Sequence, residues 1–510
     1  MRLFPTALVL PALSLFCAPG WAQGPLLDRE GGAIGSAASW TVTGTPGELY
    51  AIVLATSETT SEVLPGVELA ISLDALSLTF QLPGLFGVLN GAGQATTQVP
   101  LLDPALTGFV ISAQALTGPN FDVPSNLVRT TPALPGTFAA TVEAPALPIL
   151  GGAIAPAGDG DLLLVGGSGP AGQRYRDELE SFELDGLTFG VGVLGQSTAL
   201  ADGRILFTGG LGLDGQPSAA AAVFDPTDGS TVELSMTTPR AGHQATLLAD
   251  GRVFVTGGVG DVSIDLTAVL QDPLALLSVF NGLLGSTEFF DPNSQTFASG
   301  PGMLEPRALH TATALDNGGV LVAGGLTLIP LINIPAVSAT AYTYNPVLGI
   351  FGLPLFFDGP RLAHSAIKLA DGSVILAGGI TVDLEPFITS GGDLTQLAVG
   401  ARDDVVRYTS GLFGGGFSTV ATLSEPRALP GLALLPDGST LIAGGFRANF
   451  SALGFDLGAT ESADTYRVGQ GASATGSMAA PRIQPLLANL DDGTVLVVGG
   501  GPLDAEIYQP

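Results

Sequence analysis

The three histidines of this chain occupy one repeated position, each three residues after an arginine. They are His243, His310 and His364, which follow Arg240, Arg307 and Arg361. Imidazole is a common ligand for zinc and copper, so a three-histidine metal site is one chemistry they could form. The alternative is a structural device, in which each Arg and His hydrogen-bonds a neighbouring repeat. Because bonds to one ion are about 2 Å long and equivalent positions of adjacent repeats lie far apart, we expect the structural role and no metal.

The same arginine position continues in two later repeats, where proline replaces the histidine. Arg427 precedes Pro430, and Arg482 precedes Pro485. If any of these side chains binds a ligand, all the repeated arginines and histidines are candidates, because they occupy equivalent positions. We therefore take as candidate ligand-binding residues Arg240, His243, Arg307, His310, Arg361, His364, Arg427 and Arg482. No residue is predicted to be catalytic, because no Gly-x-Ser-x-Gly, phosphate loop or His-Glu-x-x-His pattern occurs.

The N-terminus has the features of an export signal, and it contains the only cysteine. Arg2 supplies a positive charge, residues 3–16 an apolar segment, and Gly20-Trp21-Ala22 a small-x-small cleavage site. Cys17 could be a lipid-anchor cysteine, but Phe16 stands where a small residue is expected. Cleavage after Ala22 leaves a mature chain without a thiol, which excludes disulfides, thiolate metal sites and a cysteine nucleophile.

Charge and composition narrow the classes of partner. The formal net charge is −29 with a single lysine, which disfavours nucleic acid and anionic membranes as partners. The chain has 72 glycines, 37 prolines, 46% hydrophobic and only 12% charged residues, which is typical of many short strands joined by tight turns. Calcium at the acidic turn Asp159-Gly160-Asp161 is possible, although the spacing matches no known calcium loop.

A repeat dominates the chain from about residue 132 onward. Seven apolar runs end in Gly-Gly, at residues 167, 210, 258, 325, 379, 445 and 500, so the spacing is 43 to 67 residues. An Asp-Gly turn precedes six of the seven runs, which predicts a hairpin between a first and a second strand. A third strand such as Glu288-Phe289-Phe290-Asp291 and a short outer strand such as Thr296-Phe297-Ala298 follow. Four antiparallel strands per repeat predict one propeller blade each.

This combined pattern of Pro-Arg-x-x-His, Asp-Gly, β-run-Gly-Gly and Glu-Phe-Phe-Asp-Pro resembles the bacterial kelch repeat, over roughly residues 133–510. The resemblance implies a propeller of the galactose oxidase type. It departs from the family where Phe138, Phe189 and Phe297 replace the usual outer-strand Trp. Family members that oxidise alcohols use copper and a cysteine-crosslinked tyrosine, which a mature chain without cysteine cannot form. We therefore expect no such cofactor, and we favour a protein that is not an enzyme.

The predicted organisation is all-β, with a signal peptide at 1–22, a small antiparallel β-sandwich module at 24–131 and a seven-bladed propeller at 132–510. The last repeat ends at its third strand, and Thr137-Phe138-Ala139 matches the missing outer strand. A strand at 137–142 is thus expected to pair with 504–508 and close the ring, which removes an exposed edge.

Four apolar insertions follow the second strands, at 259–285, 326–339, 380–402 and 446–460. Strand direction alternates, so these loops should share one face with the Arg/His positions, and function on repeat scaffolds concentrates where loops vary. The favoured function is secreted, non-catalytic binding of a protein or glycan, by a monomer without a membrane span. The alternatives are a secreted hydrolase or lyase with acidic and Arg residues at the channel mouth, or a structural surface component; periplasmic or cell-surface locations also remain open.

Overall fold

A computed structural model of the protein describes residues 25–147, 149, 152–157, 160–165, 172–184, 192–212, 214–262, 279, 281–329, 334–383, 390, 398–411, 414–451, 454–501 and 504–510. The predicted signal peptide, Cys17, Asp159, Phe189 and the first Gly-Gly pair lie outside these residues. Among the described residues, no helix is long and apolar enough to cross a membrane.

The N-terminal region forms nine strands and one short helix. The strands are β1 (Leu26–Glu30), β2 (Ala37–Thr43), β3 (Leu49–Ala55), β4 (Ser61–Leu64), β5 (Val67–Leu69), β6 (Phe86–Val88), β7 (Gln94–Pro100), β8 (Ile111–Thr117) and β9 (Val123–Thr130), and the helix is α1 (Leu76–Gln81). They are ordered β1-β2-β7, β6-β3-β8-β9 and β4-β5. In β2 the buried residues alternate with partly exposed ones, as expected for a strand with one face in a core.

The chain divides into two compact units whose boundaries differ from a single cut near residue 131. One unit comprises the described residues 25–28, 41–97 and 113–127. The other comprises residues 29–40, 98–112 and the described residues from 128 to the end. Two segments of the predicted N-terminal module thus group with the repeat region.

Within the second unit, each repeat builds one antiparallel sheet. The first three sheets consist of β11 (Ala153–Pro156), β12 (Leu162–Val165), β13 (Gln173–Arg176) and β14 (Ser181–Leu184); β15 (Gln196–Ala199), β16 (Ile205–Thr208), β17 (Ser218–Asp225) and β18 (Ser230–Arg240); and β19 (Gln244–Leu247), β20 (Val253–Thr256), β21 (Thr287–Asp291) and β22 (Thr296–Ser299).

The next three sheets follow the same order. They consist of β24 (Thr311–Ala314), β25 (Val320–Ala323), β28 (Thr340–Asn345) and β29 (Ile350–Phe351), with β30 (Leu355–Phe356) also on β28; β31 (Ser365–Lys368), β32 (Val374–Ala377), β35 (Asp404–Thr409) and β36 (Gly416–Thr422); and β37 (Gly431–Leu434), β38 (Thr440–Ala443), β41 (Ala463–Arg467) and β42 (Gly471–Ala474).

The seventh sheet joins the end of the chain to an early strand. It contains β43 (Leu486–Asn489), β44 (Val495–Val498), β45 (Ala505–Gln509) and β10 (Thr137–Ala140). The pairing of β10 with β45 is antiparallel, with Thr137 opposite Gln509 and Ala140 opposite Glu506. The outer edge of β45 is therefore covered by a strand that lies more than 360 residues earlier in the sequence. Just after that strand, both the amide and the hydroxyl of Thr141 donate to the carbonyl of Ala505, 364 residues away.

The second strand of every sheet is apolar and fully buried, because both of its faces are covered by neighbouring sheets. A separate apolar cluster fills the space between each pair of adjacent sheets, including one between the seventh and the first, which contains Leu164, Tyr175, Leu496 and Ile507. The first strands contact one another in a closed cycle that runs from β11 to β43 and back to β11. A closed cycle of four-stranded antiparallel sheets is the architecture of a β-propeller.

Candidate functional site

The five repeated arginines have one environment. Each guanidinium is fully buried, at 0% exposure, and its Nη1 donates to the carbonyl of the glycine 17 residues further on. For Arg307 this bond to Gly324 O is 2.7 Å long, and for Arg240 the bond to Gly257 O is 2.8 Å. Since the accepting glycine is the first of each Gly-Gly pair, the arginine holds the end of the second strand of the sheet whose first strand follows it in the sequence.

Each of these arginines also forms an ion pair with a carboxylate. In the third, fifth and sixth sheets the partner lies on the third strand, as in Arg240–Glu288 and Arg427–Asp464, both at 2.9 Å. Arg482 meets Glu506 at 3.0 Å as well as Asp504. Burial lowers the pKa of Arg240 and Arg427, and the paired carboxylates raise it.

In the fourth sheet the carboxylate that pairs with the buried arginine does not come from the third strand. Tyr342 stands opposite Val322 on the third strand, as Glu288 stands opposite Val255 in the sheet before. The carboxylate is supplied by Glu305, which lies 2.5 Å from Arg307 Nη2 and accepts a 2.9 Å hydrogen bond from the Tyr342 hydroxyl. The charge of the buried guanidinium is therefore balanced in this sheet too.

The three histidines bridge successive sheets. His243 Nε2 lies 2.9 Å from Thr208 Oγ1 of the second sheet, and His310 Nε2 lies 2.9 Å from Thr256 Oγ1 of the third. Thr208 and Thr256 are the last residues of the second strands of their sheets. In the fourth sheet this position is Ala323, and His364 Nε2 instead lies 2.9 Å from Oγ1 of Thr311 on the first strand. The imidazoles thus join neighbouring sheets through a threonine.

The histidines are neutral because they are buried beside cations. Burial, with the charge of Arg240 acting in the same direction, lowers the pKa of His243 to about 3. Burial and Arg307 likewise lower the pKa of His310 to about 3, and the pKa of His364 lies well below its ordinary value. A neutral imidazole that is enclosed in this way has no role as a general acid or base near neutral pH.

The eight candidate ligand-binding residues all take part in these contacts. All eight are fully buried or nearly so, and the five guanidiniums donate to glycine carbonyls and carboxylates within their own repeats. A ligand could reach Arg240, His243, Arg307, His310, Arg361, His364, Arg427 or Arg482 only if those bonds were broken. Their observed role is to hold the sheets together.

A backbone ladder runs beside these residues. One residue before each histidine, or before its proline replacement, the chain is left-handed: φ is +63° at Gly242, +55° at Leu309, +52° at Ala363 and +48° at Leu429. The amide of each of these donates to the carbonyl of its counterpart in the preceding repeat, with Gly242 N donating to Leu194 O and Leu429 N to Ala363 O, both at 2.8 Å. The inner rim of these successive repeats is therefore joined by main-chain bonds.

The insertions begin beside the arginines. The residue after an arginine pairs with the first residue of the following insertion, as in Ala241 with Val259, Leu362 with Ile380 and Ala428 with Phe446. Described residues of three insertions share one apolar cluster with the residues after the arginines, including Val259, Leu326 and Ile380. This agrees with the expected side-by-side position of the insertions and the arginines.

The later insertions are ordered as hairpins that pair with one another. Strands β26 (Leu326–Ile329) and β27 (Ile334–Val337) form a hairpin that continues to the short β23 (Arg307–Ala308). Strands β33 (Ile380–Asp383), β34 (Ala398–Ala401), β39 (Phe446–Ser451) and β40 (Gly454–Ala459) form one four-stranded sheet. Within that sheet β34 pairs with β39, so the insertions of the fifth and sixth repeats build a single surface, termed here the insertion sheet.

The opposite ends of the repeats carry the acidic turns between first and second strands, and the ion pairs of these turns. Asp202 pairs with Arg204 at 2.6 Å, Asp250 with Arg252 at 2.7 Å and Asp316 with Lys368 at 2.7 Å. The aspartates of these turns are about half exposed or more. They are solvated structural turns.

The three histidines do not form a zinc or copper site, and the contacts of Asp161 do not support a calcium site. The Nε2 atom of each of the three imidazoles is engaged with a threonine hydroxyl, and among the described residues no three His, Cys, Asp or Glu side chains are grouped as ligands. The calcium candidate includes Asp159, which lies outside the described residues, and Asp161 is paired with Arg176 at 3.0 Å. We therefore derive no chemistry through copper, zinc or calcium.

Comparison with known proteins gives structural likenesses only. No protein-family model and no curated protein matches the sequence. The structure of YjhT is similar with 17% identity and a TM-score of 0.47, over 65% of this chain and 99% of that one. A copper-bound fungal alcohol oxidase of the AA5 family is similar with 13% identity and a TM-score of 0.38, over 63% of this chain and 74% of that one. The propeller assignment rests on the sheet order and pairing of this chain.

Proposed function

We propose that the protein is an exported, seven-bladed kelch-like propeller that follows a small β-sandwich module and binds a protein or glycan without catalysis. The insertion sheet carries this proposal. Two loops from different repeats are paired by backbone hydrogen bonds there, so they present one continuous surface instead of independent flexible segments. Ordered loops on a repeat scaffold are the usual location of a binding surface.

The chemistry around that surface favours binding over catalysis. A secreted hydrolase or lyase would need accessible acidic and arginine side chains at the channel mouth. The arginines there are fully buried in ion pairs, and the described insertion residues meet them through an apolar cluster. Those are the groups on which the enzyme alternative depended, so it loses its main support. A purely structural surface component would require neither an ordered insertion sheet nor its exposed residues.

Two exposed side chains make the insertion sheet testable. Arg447 is exposed on β39, and Leu457 is 40% exposed on β40. The register places Arg447 opposite Gly458 and Leu457 opposite Ala448, so the two side chains lie on opposite faces of the sheet. An exposed arginine suits an acidic group and an exposed leucine a nonpolar one, as an acidic glycan or a peptide offers, so the two side chains test the two faces separately.

The experiment is a binding screen of the mature protein on immobilised glycans and polysaccharides, with Arg447→Glu and Leu457→Asp as surface variants. Arg204→Glu is the matched control, since it makes the same charge change at an Asp-Gly turn. We expect a ligand whose affinity falls at least about tenfold, a loss of about 1.4 kcal/mol, in the variant on the face that it contacts, and is unchanged in the control. Equal binding by all four proteins would exclude this face, and release of cleaved products would favour the enzyme alternative.

The closure of the ring is tested by deletion of residues 133–143. This removes β10 and bares the edge of β45, so we expect concentration-dependent aggregation. A soluble deletion variant with the stability of the full chain would contradict the closure. Export and cleavage after Ala22 predict that the N-terminal residue of the mature protein is Gln23, which N-terminal sequencing determines.

A further inference from the structure

Arg29 lies among three carboxylates, and these four residues are termed here the Arg29 cluster. Its Nη2 is 3.2 Å from Asp177 Oδ1, and its Nη1 is 3.3 Å from both Glu180 Oε1 and Asp492 Oδ2. The side chains are 6% exposed for Arg29, 13% for Asp177 and 1% for each of the other two. One buried guanidinium therefore faces three carboxylates.

Asp492 shows that this burial is specific to one place in the ring. It belongs to the Asp-Gly turn of the seventh repeat, and its Oδ1 accepts from Thr494 N as in an ordinary turn. The corresponding Asp202, Asp250 and Asp437 are 47–56% exposed, and each is paired with an arginine of its own repeat. In the seventh repeat the partner is Arg29, from a segment outside the repeats, and it covers the turn.

The cluster joins three parts of the second unit at the seam of the ring. Asp492 belongs to the seventh sheet, whereas Asp177 and Glu180 lie between strands β13 and β14 of the first. Glu180 also accepts hydrogen bonds from Thr131 N at 3.1 Å and Thr131 Oγ1 at 2.5 Å. Thr131 lies just before the closing strand β10, so the cluster ties this segment to both sheets.

The charges of these four residues do not balance; the neighbouring Arg129, whose Nη1 donates to Leu179 O at 2.5 Å, pairs with Glu143 at 3.7 Å. If all three carboxylates were ionised, two negative charges would remain after pairing with Arg29. Asp491 adds a further nearby carboxylate, and the buried hydroxyl of Tyr175 has no hydrogen-bond partner. Like charges in a buried site cannot all ionise, so one carboxyl tends to hold a proton. Burial raises the pKa of Asp177 to about 7; Arg29 opposes this, and Asp492, Glu180 and Asp491 reinforce it.

We propose that the Arg29 cluster is an acid-strengthened latch that clamps the segment of Arg29 and the closing strand to the first and seventh sheets. With Asp177 protonated, the cluster holds one unbalanced negative charge and stays closed. Loss of that proton adds a second unbalanced charge to a buried site and weakens the seam. The latch is thus firm in mildly acidic surroundings and loosens above neutral pH.

The sign of the pH dependence follows from linkage. The carboxyl of Asp177 titrates near 3.8 in an unfolded chain and near 7 in the folded one. Between these values the folded protein binds more protons, so its stability falls as the pH rises. Below the lower value the carboxyl is protonated in both states and imposes no cost; above the upper value the full cost is present.

The test compares the pH dependence of unfolding in the mature protein, Asp177→Asn and the control Asp250→Asn. Asparagine mimics the protonated carboxyl, and Asp250 is an exposed turn residue. The buried histidines act in the opposite direction below pH 6.5, so the difference between proteins is the readout. We expect the wild type to take up close to one more proton than Asp177→Asn on folding at pH 5.5, and Asp250→Asn to follow the wild type. Parallel curves for the wild type and Asp177→Asn from pH 5 to 8.5 would overturn the proposal.

A second measurement needs no variant and locates the effect. Hydrogen exchange of residues 129–142 in the wild type, corrected for intrinsic rates, should quicken at least about tenfold between pH 6 and pH 8.5, a change of about 1.4 kcal/mol in local opening. Residues 440–443 of the sixth sheet should show no such change. Equal protection of residues 129–142 at both pH values would overturn the latch even if Asp177→Asn failed to fold.

Discussion

The amide of Gly379 donates a 2.9 Å hydrogen bond to the carbonyl of Arg427, and this bond joins the fifth repeat to the sixth. The same bond links Gly258 to Arg307, Gly325 to Arg361 and Gly445 to Arg482. At the seam of the ring, Gly500 N donates to Ile149 O instead, at 2.8 Å, because the first repeat has no arginine there. The Gly-Gly pairs that mark each repeat in the sequence are therefore the points at which successive repeats meet.

Gly378 provides a direct test of this contact. Its φ is +62°, and a Cβ there would collide with the carbonyl oxygen of Arg427. We expect Gly378→Ala to lower the free energy of unfolding by more than about 2 kcal/mol, through strain and displacement of the neighbouring repeat. In the control Gly438→Ala the φ is +81° but no atom lies within 4 Å, so only about 1 kcal/mol should be lost. Denaturant unfolding measures both, and equal losses would show that the close approach is unimportant.

The buried ion pairs should be far more sensitive than the exposed ones. Arg240→Met would leave Glu288, whose side chain is 1% exposed, without its cation. We expect a loss of about 3–5 kcal/mol in the free energy of unfolding. Arg467→Met removes an arginine that is 39% exposed beside Asp437 and should cost about 1 kcal/mol or less. Similar midpoints of denaturation for the two variants would refute the structural role assigned to the repeated arginines.

The histidines predict acid sensitivity. The folded pKa of His243 and His310 is about 3, below the ordinary value of 6.5, so the unfolded chain binds more protons between these values. Stability is then lost as the pH falls from 6.5 towards 3. Replacement of all three histidines by glutamine should flatten this part of the profile of melting temperature against pH. Imidazole NMR signals of the wild type should not shift between pH 8 and pH 5, and a midpoint near 6.5 would contradict their burial.

Three strongly exposed apolar side chains lie close together in sequence on the outer part of the fourth sheet. Val347 is 90% exposed, Leu353 85% and Phe356 72%, and no charged residue lies between Asn317 and Phe357. We expect Val347→Ser with Leu353→Asp to reduce binding of a hydrophobic dye and light scattering at high concentration, while stability changes by less than about 0.5 kcal/mol. Leu184→Asp, at a leucine that is 63% exposed on the first sheet, is the control. Equal dye binding and light scattering by the wild type and the Val347→Ser, Leu353→Asp variant would show that these side chains do not promote association.

The strands of each repeat were accessible to sequence reasoning because their signals are local. The Asp-Gly turn, the buried run before Gly325 and the Thr296-Phe297 strand each lie within a few residues of their partners. The match of Thr137-Phe138 to an outer strand was also visible, since it depends on comparing repeats.

The site was harder to predict because its contacts are distant or irregular in sequence. Glu288 lies 48 residues from Arg240, whereas in the next repeat Glu305 lies only two residues before Arg307. No single spacing of opposite charges could therefore reveal that the arginines are buried in ion pairs. Arg29 carries no repeat signal at all, and its importance appears only when the first and seventh sheets meet.

The left-handed rim has a consequence for the variation of this protein. Because Gly242, Leu309, Ala363 and Leu429 are joined through main-chain atoms, the bonds between them do not depend on which side chain each carries. Glycine, leucine and alanine already share that position within one molecule. Successive repeats can therefore carry different side chains at the rim without losing the register that holds them in order.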